Sequence, residues 1–171
     1  MSRLDQIQLS FVAGEDRLLL RVSTTSGEEF RCWLTRRFVK ALRPALDQAL
    51  AAGPRIRAQP DPAVREALLR FEQEKAVASS NFDTPFRETE RAMPLGAQPV
   101  VLTRGQVRPR PDGGVLLALA PEQGEGLDLA LAPELLQSFL ALLERTLGAS
   151  DWDLARSAAA AMPASATVTW N

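Results

Sequence analysis

The chain has 171 residues, 46% of them hydrophobic, with a formal net charge of −1 and a sequence pI of about 5.6. That length suits one ordinary domain or two small intimate halves, and the acidic balance argues against a general nucleic-acid coat protein. Histidine and tyrosine are absent and there is a single cysteine, which excludes an internal disulfide, Ser-His-Asp and Cys-His nucleophiles, and histidine acid–base or metal chemistry.

The N-terminus, "MSRLDQIQLS", has no apolar core of a secretory signal. The most apolar window, "LDLALAPELLQSFLALL", is interrupted by Asp128, Pro133 and Glu134, so no transmembrane helix is expected. Together with the lone cysteine these features predict a cytoplasmic protein. Only two of the twenty basic residues are lysine, a bias that fits GC-rich bacterial coding. Charge is uneven along the chain. Residues 1–60 carry ten basic and six acidic side chains, residues 61–98 five and seven, and residues 99–171 five and eight.

In chain order, Ile7, Leu9 and Phe11 alternate and turn at Gly14-Glu15 into a second alternating run, Leu18, Leu20 and Val22. Val22 then pairs with Phe30 and Leu20 with Cys32, around a loop Thr25-Ser26-Gly27 whose glycine suits a left-handed position. Phe38, Val39, Leu42, Leu46 and Leu50 follow at helical spacing. Pro44 falls inside this helix and is expected to kink or shorten it. A linker helix is predicted over "DPAVREALLRFEQEKAVAS", with Asp61 as cap, Pro62 at the first helical position and a stripe of Val64, Leu68 and Phe71. Residues 79–98 read as an extended connector anchored by Phe82 and Phe86.

The first pattern then repeats. "LLLRVSTTSGEEFRCWLTRRFVKAL" from Leu18 aligns without a gap on "VLLALAPEQGEGLDLALAPELLQSF" from Val115, and the alignment extends to Leu50 and Leu147. Gly27 matches Gly124. Val107 and Pro109 form the preceding strand, which turns through Pro111 to Gly113; Pro109 lacks an N–H, so an edge strand is expected. The tail from Ala155 is alanine-rich and reads as a short helix or disorder, with a terminal strand over Thr167–Trp170. The expected fold is α+β: two tandem β-β-β-α halves, residues 1–52 and 99–150, with antiparallel sheets carrying helices on one face. They are joined by the linker helix and connector (53–98) and followed by a tail (151–171), all in one compact domain.

Two copies of a three-stranded unit followed by a helix resemble, in layout, the Pur-alpha and Whirly families. Those families double a sheet–helix unit with four strands where this chain has three. The resemblance implies binding of single-stranded nucleic acid on sheet faces.

The outward faces of the two copies diverge. The first presents Leu19, Arg21, Arg31 and Trp33; the second presents Leu116, Ala118, Asp128 and Ala130. The register sets Arg21 opposite Arg31, a like-charge pair that needs an anion, a carboxylate or water to offset it. Glu29, on the same face, and Asp128 are candidate partners. Arg21, Arg31 and Trp33, with Arg36 and Arg37 opening the helix beside Lys40 and Arg43, make a candidate anion or nucleic-acid face. Leu116, Ala118 and Ala130 make a candidate subunit interface. Cys32 alternates inward as a small apolar residue, and "DWDL" reads as a packed Trp152 between solvated acids. No catalytic, cofactor or metal motif is present, so a non-enzymatic interaction module, self-associating as a homodimer, is the leading expectation.

Overall fold

The computed structural model describes residues 3–154 and 166–169. In chain order the elements are β1 (Leu4–Val12), β2 (Arg17–Thr24), β3 (Glu29–Thr35), α1 (Arg36–Ala51), α2 (Pro54–Arg57), α3 (Pro62–Ser79), β4 (Val100–Val101), β5 (Arg104–Pro109), β6 (Val115–Ala120), β7 (Leu127–Leu131), α4 (Pro133–Gly148) and β8 (Ala166–Thr169). They form an α+β fold with two sheets, ordered β1-β2-β3-β4 and β7-β6-β5-β8.

The repeat is present in the hydrogen-bonded register. Leu18, Leu20 and Val22 face Leu34, Cys32 and Phe30 across β2 and β3. Val115, Leu117 and Leu119 face Leu131, Leu129 and Leu127 across β6 and β7. Helices α1 and α4 start at Arg36 and Pro133 and end at Ala51 and Gly148, so both ends keep the 97-residue separation. Each β2–β3-type loop closes through a glycine of positive φ, 81° at Gly27 and 95° at Gly124, a conformation that a Cβ disfavours. The preceding hairpins match as well: Ile7, Leu9 and Phe11 face Val22, Leu20 and Leu18, and Val107 and Pro109 face Leu117 and Val115.

Alternation sends one side of each sheet inward. Leu18, Leu20, Val22, Cys32 and Leu34 from the first sheet join Val115, Leu117, Leu119, Leu127 and Leu129 from the second in one buried cluster. Helices α1 and α4 lie within it. Helix α1 packs on its own β3 and on β5 of the other half, and α4 packs on β7 and β1. The halves therefore share a core, and burying each large apolar side chain there contributes roughly 2 kcal/mol.

Four expectations need correction. Helix α1 runs unbroken through Pro44. The proline removes a single bond to the carbonyl of exposed Lys40, while buried Phe38, Val39, Leu42, Leu46 and Ala49 hold the helix on the core. Strand β5 is not an edge over Arg104–Val107, because β8 pairs there; Pro109 lies past the paired stretch, where its missing N–H costs nothing. Helix α3 starts as expected, with Asp61 accepting from the Ala63 amide at 2.8 Å, but Val64 and Phe71 are exposed. Apolar residues are spread around this helix, and it rests on α4 through the side that buries Ala76. Finally, Arg43 does not belong to a surface basic group. It is 7% exposed and bridges Glu144 of α4 and Asp47 of its own helix. Those two carboxylates occupy equivalent positions of the repeat.

The tail closes on the first hairpin. Trp152 is buried edge-on against Phe11 at 5.8 Å, and its Nε1–H donates to Asp16 at 2.6 Å. Asp151 and Asp153 are exposed on either side. The strand expected near the end is present at Ala166–Thr169; Trp170 and residues 155–165 lie outside the described residues.

Candidate interaction site

The first sheet places Arg21 opposite Arg31 and Leu19 opposite Trp33. The repulsion is met by a buried carboxylate. Glu29 is 2% exposed. Its Oε1 accepts from Arg31 Nε at 2.7 Å and from Arg21 Nη2 and Nε at 2.9 and 3.0 Å. Its Oε2 lies 3.4 Å from Arg91 Nη1. Glu29, not Asp128, is the partner.

The connector completes this network. Phe86 is buried, with the Arg21 guanidinium 4.1 Å and that of Arg91 5.1 Å from its ring centre. Two residues on, Glu88 accepts from both terminal nitrogens of Arg21 at 2.6 and 2.9 Å, a bidentate pair. Burial alone would push the Glu29 carboxyl up, but hydrogen bonds from Arg31 and Arg21 outweigh it and hold it below the usual carboxylate range. The hydrogen bond from Arg21 lowers Glu88 as well, and the bond to Glu88 helps hold Arg21 above its ordinary value.

Of the candidate anion face, then, Arg21 and Arg31 are gathered into an internal network. Trp33 is half-buried between Leu19 and Val101 in the strand register. Arg36 and Arg37 are exposed at the start of α1, where Thr35 caps the helix by accepting from the Phe38 amide. Sequence reasoning missed Arg91 and Glu88, which lie more than fifty residues from the strands they serve. The anchoring Phe86, just before them in the chain, was the available signal.

Beyond Phe86 the connector continues along the first sheet. The Glu29 amide donates to the Ala92 carbonyl at 2.8 Å. Strand β4 then adds to the open edge of β3 in parallel, Val100 beside Cys32 and Val101 beside Trp33.

The second half has no such cover among the described residues. Leu116 and Ala118 are half-buried and Ala130 is exposed, with Leu116 opposite Ala130 and Ala118 opposite Asp128. The repeat places Gly126, Asp128 and Ala130 where the first half has Glu29, Arg31 and Trp33, so bulk is lost and charge reversed. A groove of about 530 Å³ runs along β7, with Leu127, Leu129 and Leu135 on one side and Leu4, Thr24 and Phe30 of the first half on the other.

Cys32 is fully buried, and burial pushes its thiol up to about 12, far from the thiolate that nucleophilic chemistry needs. Among the described residues no group of three His, Cys, Asp or Glu side chains is arranged to hold a metal ion, and no helix is long and apolar enough to cross a membrane. Comparison with protein-family models, with curated proteins and with solved structures returned no match.

Proposed function

We propose that this chain is a non-enzymatic interaction module that self-associates through the outward face of its second sheet. The observation that carries the reading is the asymmetry between equivalent surfaces. The outward face of the first sheet lies under Phe86, Glu88 and Arg91 of the connector. Its counterpart, Leu116, Ala118 and Ala130, is small, apolar and uncovered by the connector. These three residues form a small apolar patch rimmed by Gln106, Arg108 and Asp128, the pattern of a contact surface, and a twofold pairing would bury it in both copies. The reading places the protein in the cytoplasm, where a lone buried thiol is usual. It is preferred to single-strand binding because the Arg21 guanidinium already has two carboxylate partners and an aromatic ring beneath it.

Light scattering on the purified chain tests it. A dimer is expected at micromolar concentration. Ala118→Arg, which places a charge at the centre of the face, is expected to give a monomer with an unchanged circular dichroism spectrum. A wild-type monomer at high concentration would remove the proposal.

A further inference from the structure

The two halves also differ at the edge of the third strand. In the first half the outer edge of β3 is occupied. Its Glu29 amide donates to Ala92, and its Trp33 carbonyl accepts from the Leu102 amide at 3.0 Å. Backbone groups of alternate residues point to the same edge of a strand, so residues 29, 31 and 33 face the connector.

The same parity holds in the second half. The carbonyls of Gly114 and Ala120 face β5, accepting from Arg110 and Thr103 at 2.8 and 3.1 Å. The backbone groups of residues 115, 117 and 119 therefore face β7 and pair with 131, 129 and 127. Asp128 and Ala130 are left presenting N–H and C=O groups away from β6. Strand β7 is terminal in its sheet, and among the described residues no strand occupies that position. The groove of about 530 Å³ lies there.

We propose that the open edge of β7 binds an extended peptide segment of a partner protein, added in parallel as β4 is added to β3. The repeat supplies the model of the occupant. Val100 and Val101 lie beside Cys32 and Trp33, so the ligand places two adjacent β-branched residues beside Leu129 and Ala130, in a groove where Leu127, Leu129, Leu135 and Phe30 offer apolar contact and Arg3, Glu28 and Asp128 add charge. In the first half Pro99 precedes this pair, next to Arg31. The second half has Asp128 in place of Arg31, so the residue preceding the β-branched pair in the ligand is lysine or arginine. Leu4, Thr24 and Phe30 line the far side of the groove. A partner's peptide is chosen over a second copy because the position beside Asp128 calls for a basic residue, whereas this chain's own edge-adding segment carries Pro99 there. The proposal rests on reading the second half as an interaction module, but not on self-association, although Leu116 and Ala130 of the proposed contact face also line the groove.

The probe is a synthetic octapeptide with the connector sequence of Gly96–Thr103 and lysine in place of Pro99. Titrated into isotope-labelled protein, it is expected to shift the Asp128 and Ala130 amide resonances and slow their hydrogen exchange by about tenfold or more. Asp128→Lys is expected to weaken binding several-fold and to be rescued by a peptide with glutamate at the same place. Repeating the titration in Ala118→Arg separates the edge from the face: peptide shifts are expected to persist there, whatever the oligomeric state of the wild type. The proposal is overturned if millimolar peptide leaves both amides unmoved, or if they are already protected in the free protein because the chain or a second copy fills the edge. It is also overturned if the shifts disappear with Ala118→Arg, or if peptide preference ignores the charge at residue 128.

Discussion

Replacing Glu29 by alanine tests the internal reading of the arginine cluster. The carboxylate is 2% exposed and neutralises three guanidiniums at 2.7, 2.9 and 3.4 Å. Removing one partner of a buried ion pair costs roughly 3–5 kcal/mol, chiefly because the remaining charge is left without a counter-charge. Here the loss is tempered. Arg21 keeps its bidentate pair with Glu88, and Arg31, 28% exposed, can turn to water. Arg91 has less recourse: its side chain is 6% exposed, although it still donates to the Arg87 carbonyl at 2.7 Å. The net expectation is about 3 kcal/mol, which for a chain of this length is a fall in Tm of about 6–12 °C. Thermal unfolding followed by circular dichroism at neutral pH reads it directly. The pH dependence has a fixed sign. The folded-state pKa of Glu29 is lowered, so its stabilisation is complete above the unfolded carboxyl value of about 4.3 and is lost as pH falls through the lower folded value. Wild type and Glu29→Ala should therefore converge in stability in strong acid. A fall in Tm below about 2 °C at neutral pH would refute the claim that this carboxylate holds the like-charged pair together.

Gly27→Ala and Gly124→Ala each place a Cβ at positive φ and are expected to cost about 1 kcal/mol apiece in denaturant unfolding; similar values for the two would reflect the repeated loop. Trp152→Phe removes the donor to Asp16 and should cost about 1 kcal/mol, with a matching loss of protection around residues 13–16 in hydrogen exchange. Cys32, with its thiol raised and buried, is expected to resist alkylation in the native protein and to react at once in denaturant. A single-stranded oligonucleotide at tens of micromolar in low salt is expected to leave tryptophan fluorescence and probe polarization unchanged; salt-dependent quenching that Trp33→Ala abolishes would revive the polyanion reading.

Much of the fold was legible because it is written twice. The strand register, both loop glycines, both helices and the linker cap follow from periodicity at short range, and the second copy checks the first. The elements that were misread depend on distant chain segments. Strand β5 reads as an edge because Pro109 cannot donate, yet Arg104 to Val107 are paired by β8, some sixty residues on. Arg43 reads as one more arginine on a basic helix until α4 brings Glu144 against it. At the candidate site, alternation identified the like-charged pair and offered Glu29 and Asp128 as candidate carboxylates, between which the structure selects Glu29. The second carboxylate, Glu88, and the aromatic platform, Phe86, arrive through a connector without regular structure, and no periodic pattern predicts where such a segment lies. The exposed side of α3 was misjudged for a related reason: its apolar residues are spread around the helix, and only contact with α4 selects the side that is buried.

The asymmetry between the halves is the centre of this account, because the proposal that the second sheet is a contact surface rests on it. Sedimentation equilibrium of the wild type beside Ala118→Arg, over the same micromolar range, tests it most directly. The account predicts a wild-type mass twice that of the chain and a variant mass equal to it. Identical masses for the two proteins, whether both monomeric or both dimeric, would contradict it.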